Sequence, residues 1–167
     1  MADIPDLEDE IVVAVEIPRG SRNKYEYDAE LGAIVLDRRL FTSTVYPADY
    51  GFVEGTLGED GDPLDALVLV GDPTFPGCRI RVRTVGVFRM VDEKGGDDKL
   101  VCVPLRDPLW SEVHDLDDIP EAFRAEIEQF FKVYKELEGL PVRTAGYGDR
   151  AEAQRVLEEA RARAFAG

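Results

Sequence analysis

Residues 79–105, RIRVRTVGVFRMVDEKGGDDKLVCVPL, carry the reading that decides the fold class. From 79 to 85 basic and apolar residues alternate, which suits a strand with one buried face, since successive side chains point to opposite sides. Residues 87–91 continue the run, with Gly86 placed as a bulge between the two parts. The turn at 93–98 is rich in glycine and acid, and 100–105 returns as an apolar strand.

Upstream, 11–17 is almost continuously apolar apart from Glu16, and Pro18 follows it. It reads as a strand whose end carries one unexpected carboxylate. Residues 24–28 and 33–36 predict a hairpin with Arg38 at its far end. Between 41 and 61, Tyr46, Pro47, Tyr50, Gly51, Phe52, Gly55 and Gly58 favour a long irregular connection of the kind that often carries function. Residues 64–70 restore a β run, punctuated afterwards by Pro73, Pro76 and Gly77. Downstream, Phe123, Ile127, Phe130, Tyr134 and Leu137 recur at helical steps between Pro120 and Gly139. A second helix is expected over 151–164, capped by Asp149. Strands followed by helices define an α+β chain, and with neither repeats nor a linker residues 1–167 read as a single domain.

The 35 acidic and 20 basic side chains leave a formal net charge of −15, which repels nucleic acid and anionic membrane surfaces. An anionic substrate would therefore need local cations. Cys78 and Cys102 lie in strand-like runs as small hydrophobes, which suits a reduced cytoplasm. The acidic amino terminus, MADIPDLEDE, lacks the positive start and apolar core of a signal peptide, and nothing approaches the ~18 apolar residues of a membrane helix.

The chemistry concentrates in 59–70, EDGDPLDALVLV. Asp60 and Asp62 are two apart, so an extended backbone would project them to one side, while Pro63 turns the chain and Asp65 opens a strand. Converging carboxylates repel one another unless cations intervene, and hard divalent ions such as magnesium or manganese prefer such ligands. A solvated acidic turn uses the same residue types. An EF-hand is excluded, because counting from Asp60 the required glutamate falls on Gly71. In 91–101, VDEKGGDDKLV, Asp92 and Asp97 flank the turn and Lys99 begins the returning strand, placed to meet a phosphate or simply within a polar hairpin. Lys24, Arg38, Lys99 and Lys135 are candidate phosphate partners, and Tyr46, Tyr50 and Tyr134 can donate hydroxyl protons. Tyr134 also fits a core position and Lys135 a solvated helix face.

Together the segments VAVEIPRGSRNKYEYD, LDRRL, YPADYGF, EDGDPLDALVL, MVDEKGGDDKLVCVP and FFKVYKELEG resemble the family I soluble inorganic pyrophosphatases, especially the short bacterial form. The resemblance implies a small OB-like, partly closed β-barrel flanked by the two C-terminal helices. It implies hydrolysis of pyrophosphate to two orthophosphates by in-line attack of water, with Mg2+ as cofactor and Mn2+ or another divalent ion as a substitute. Asp60, Asp65 and Asp97 would bind the activating metals, helped by Asp92, Glu16 and Glu26. Lys24, Arg38, Tyr50, Lys99, Tyr134 and Lys135 would grip the phosphates, Tyr46 would support them, and Asp62 would act as general base or orient the water. A homohexamer is implied as well. No Ser-His or Cys-His pair is needed, and His114 lies outside every motif. Hydrolysis of nucleoside polyphosphates and a binding module without turnover are the competing readings. The first lacks a base-stacking pocket or glycine-rich phosphate loop, and the second would have lost members of the set Asp60, Asp62, Asp65, Asp97, Lys99, Tyr134 and Lys135, all of which are present.

Overall fold

The strand expected in two parts over 79–91 is one continuous element, β6 (Arg79–Asp92), and it pairs with more neighbours than any other. The computed structural model describes residues 10–167, so all but the last residue of the acidic amino-terminal stretch lies outside the described residues. The other strands are β1 (Glu10–Ile17), β2 (Asn23–Asp28), β3 (Ala33–Arg39), β4 (Asp49–Val53), β5 (Asp65–Val68), β7 (Gly95–Gly96), β8 (Lys99–Pro104) and β9 (Arg143–Gly148). The helices are α1 (Glu121–Val133) and α2 (Arg150–Ala166).

Strands β1, β4, β5, β8 and β6 form a ring that the β6–β1 pairing closes, giving a five-stranded barrel. All its pairings are antiparallel except β5–β8, which is parallel and sets Asp65 opposite Lys99. The OB-like barrel with two C-terminal helices is therefore as expected, with the ring fully closed. The hairpin β2–β3 stands apart as a two-stranded sheet.

Gly86 does mark a bulge: the β6–β8 register shifts between Thr84 and Gly86. Because strand side chains alternate with a period of two, one extra residue exchanges the faces of everything beyond it. Val82 faces one apolar cluster and Val85 the other, and beyond the shift Val87 joins the first while Phe88 and Met90 join the second. That second cluster packs on α1 through Ile127, Phe130 and Phe131. The first includes Ala153, Leu157 and Ala160 of α2, where the two small alanines let the helix lie close to the barrel. Burial of each large aliphatic or aromatic side chain here stabilises by about 1.5–3 kcal/mol.

Three elements differ from expectation. The long connection contains β4, whose Gly51 lies so close to β1 that a Cβ there would stand 1.9 Å from the Ala14 carbonyl oxygen. Contact with β1, rather than local alternation, makes DYGFV a strand. The helical last third is interrupted by β9, a run with two glycines that pairs along β6. The first helix stops at Val133, and a 3-10 turn, Glu136–Glu138, carries the chain on to Gly139, whose φ of 72° ends it. The second helix begins one residue early, with the Asp149 carboxylate accepting the Glu152 N–H at 2.9 Å. No helix among the described residues is long and apolar enough to cross a membrane.

Candidate active site

A cleft of about 940 Å³ opens between the β2–β3 hairpin, the rim of the barrel and the end of α1. Its lining carries eight acidic side chains against four basic ones, Lys24, Arg79, Lys94 and Lys135. Of the residues expected at the site, Glu16, Lys24, Glu26, Tyr50, Asp60, Asp62, Asp65, Asp92, Asp97, Tyr134 and Lys135 all line it. Lys99, Arg38 and Tyr46 do not. His114 also lies elsewhere, where its N–H caps back to Asp118.

Lys99 stands directly behind the wall. The parallel β5–β8 register carries its ammonium to 3.0 Å from both Asp65 Oδ2 and Asp97 Oδ2, and it donates to the Tyr50 hydroxyl at 2.9 Å. Its three protons thus meet three oxygens, although the side chain is only 1% exposed. Burial alone would favour the neutral amine, but the Asp65 and Asp97 carboxylates outweigh it and hold the ammonium charged. The rings of Tyr50 and Phe131 lie 5.1 and 5.4 Å beneath it, so one lysine joins the apolar core to the acidic rim.

The other expected phosphate partners are also tied to carboxylates. Lys135, nearly buried, lies 3.4 Å from Glu93 and 3.8 Å from Asp92. Lys24 lies 3.4 Å from Asp37 and 3.6 Å from Glu26. Arg38 is held by Glu138 through two bonds of 3.1 and 2.9 Å and by Asp37 at 2.5 Å. Sequence reasoning passed over Glu93, Asp37 and Glu138. Asp37 and Glu138 are acids within three positions of a candidate cation, a signal too common on its own to single them out, and Glu93 is six positions from Lys99. Tyr46 is wholly buried, its ring 5.5 Å from Tyr50 and 4.5 Å from Phe130, which makes it a support for Tyr50. Tyr134 belongs both to the core cluster and to the cleft wall.

Asp60 and Asp62 do not share an extended backbone. Gly61, at φ 91°, folds 58–62 into a tight turn in which the Asp62 N–H donates to Asp60 Oδ1 at 3.1 Å. Among the described residues no three acidic, histidine or cysteine side chains are already drawn around one metal-sized point. The chemistry of the carboxylates still fits a hard divalent ion. Burial raises the pKa of Glu16 to about 7, with the Tyr27 N–H opposing and Asp65 adding to the rise. Burial likewise raises Asp97, against Lys99 and with Asp65, and raises Asp60, against the Asp62 N–H and with Asp97. Carboxylates that resist ionisation beside one another gain most from a divalent cation.

The fold and the cleft define a small-barrel protein with an acidic, oxygen-rich site. Residues 13–164 match the inorganic pyrophosphatase family, and the chain belongs to it. An inorganic pyrophosphatase of Streptomyces coelicolor is 61% identical over 150 residues, 89% of this chain and 92% of that protein. One from Methanosarcina mazei is 52% identical over 90% of this chain and 89% of its own length. The solved inorganic pyrophosphatase from Thermus thermophilus superposes with a TM-score of 0.92 at 44% identity, covering 99% of this chain and 95% of that one. The family carries with it a divalent metal cofactor, for which the donor set is suited.

Proposed function

We propose that this chain hydrolyses inorganic pyrophosphate to two orthophosphates with magnesium as its natural cofactor and manganese as a substitute. The observation that carries the reading is the Asp65–Lys99–Asp97 arrangement at the barrel rim, in a chain whose relatives are named inorganic pyrophosphatases. Asp60, Asp65 and Asp97, with Asp92, Glu16 and Glu26 nearby, would hold the metals. When bound, these ions supply Lewis-acid polarisation and make a water more acidic.

The chain's own residues do the rest. Lys24, Lys135, Tyr50 and Tyr134 line the cleft and bind phosphate oxygens, with Arg38 added from the hairpin. Lys99 works from behind the wall, offsetting one of the two charges on Asp65 and Asp97 and orienting the Tyr50 hydroxyl. Tyr46 packs against Tyr50 and keeps that ring in place. Asp62 is exposed on its tight turn and takes the proton of the attacking water. A cleft with eight carboxylates also keeps an unescorted polyanion out, so substrate binds with its cations.

The test is phosphate release from pyrophosphate, ATP and dUTP, with and without magnesium, repeated on Asp62→Asn. Fast turnover of pyrophosphate alone is expected, abolished by chelation and reduced at least about 10²-fold in the variant, the scale of a lost general base. Equal turnover of the nucleotides, or a fully active variant, would overturn the mechanism. We further propose a cytoplasmic homohexamer, which a monomer in analytical sedimentation would refute.

A further inference from the structure

We propose that Glu138 is a positioning residue, one that holds the guanidinium of Arg38 in the orientation from which it can take a phosphate; this rests on the pyrophosphatase reading. Arg38 sits on β3 opposite Lys24, on a hairpin that forms its own two-stranded sheet. Such a ribbon is marginally stable by itself and supplies little to fix a long arginine side chain. The restraint comes from 100 residues further along the chain, where Nε of Arg38 donates to one Glu138 oxygen at 3.1 Å and Nη2 to the other at 2.9 Å.

Two parallel bonds between a planar guanidinium and a planar carboxylate fix both distance and plane, which a single contact does not. The Glu138 side chain is 15% exposed, so solvent screens the pair only partly. Glu138 has a defined backbone position. It ends the 3-10 turn Glu136–Glu138, which follows Lys135 directly, and Gly139 closes that turn with positive φ. A guanidinium has five N–H groups, of which Glu138 and Asp37 engage three. The two left over, one on Nη1 and one on Nη2, remain able to donate. Glu138 thereby ties the Arg38 hairpin to the segment that presents Tyr134 and Lys135 to the same cleft.

The experiment measures kcat and KM for pyrophosphate with magnesium in Glu138→Ala and Glu138→Gln, each alone and with Arg38→Ala, alongside Glu136→Gln on the same turn. Glu138→Ala is expected to raise KM about tenfold with a smaller change in kcat, because orientation of a binding group is lost. Glu138→Gln, which keeps one acceptor, should fall between it and wild type, and Glu136→Gln should match wild type. With Arg38 already removed, neither change at Glu138 should add a further loss, since a positioning residue then has nothing to position. Unchanged KM in both Glu138 variants, or an undiminished loss in the Arg38→Ala background, would overturn the inference while leaving the assigned activity standing. A wild-type protein without pyrophosphate turnover would remove both. If Glu138→Ala fails to fold, Glu138→Gln, of nearly the same shape, carries the comparison.

Discussion

Lys99 and Arg83 are both cations buried in the barrel wall, at 1% and 8% exposure, and they meet opposite kinds of partner. The Arg83 guanidinium donates to the carbonyls of Val113, at 2.8 Å, and Trp110, both in the segment that leads to α1. Burial, then the nearby Arg150, pushes its pKa down. Lys99 faces the carboxylates of Asp65 and Asp97, which hold its charge in place. Neutral carbonyls satisfy Arg83 as a donor and pin a loop. Two carboxylates around one ammonium leave a surplus negative charge facing a cleft. Burial of an ionisable group is thus common to a brace and to a site, and the sign of what surrounds it separates them.

The sharpest way to break that contrast is Lys99→Met. Without the ammonium, Asp65 and Asp97 lose their shared counter-charge and Tyr50 its donor, so pyrophosphate turnover should fall about 10²–10³-fold. Steady-state kinetics at saturating magnesium would check it, and wild-type rates would make Lys99 a brace like Arg83. Next in size is Gly51→Ala, where a methyl would press on the β1 backbone. A loss of at least about 3 kcal/mol in chemical denaturation is expected, with lower activity, since Tyr50 moves with β4. Arg83→Met should cost less, about 2 kcal/mol for carbonyls left without a donor, and should leave the KM for pyrophosphate unchanged. A rise in KM would erase the distinction between the two cations.

The gentlest effect is a slope. Glu16 has a pKa raised from 4.5 to about 7, so between these values the folded chain binds a proton that the unfolded chain does not. Its contribution to stability is fully present below pH 4.5 and is lost as pH rises through about 7, at no more than about 1.4 kcal/mol per pH unit. Urea melts of metal-free protein across this range should show that slope in wild type and not in Glu16→Gln. Parallel curves would mean that Glu16 is already ionised in the folded chain.

Much of the site was legible because its residues cluster in short motifs. Asp60, Asp62 and Asp65 stand within one segment, Asp92, Asp97 and Lys99 within another, and the cleft brings both groups together with Glu16, Lys24, Lys135 and Tyr134. Arg38 and Lys99 were legible as cations, but the pairing of Arg38 with Glu138 and of Lys99 with Asp65 was not, because those carboxylates are distant from them in the chain. The strands with clear alternation and the capped second helix were likewise readable. Strands β4 and β9 were not, because glycine-containing runs such as DYGFV and RTAGYG have no marked local preference and become strands only beside β1 and β6.

The residue order by itself determined the α+β class, the bulge at Gly86, the cap at Asp149 and the inventory of acids and cations. These depend on backbone freedom, side-chain alternation and local hydrogen bonds, which act over a few residues. Only the tertiary structure decided that the ring closes through β1 and β6, that Asp65 and Asp97 share Lys99, and that Glu138 grips Arg38. Electrostatic pairing and strand register depend on distance in space, and the fold sets that distance between residues far apart along the chain.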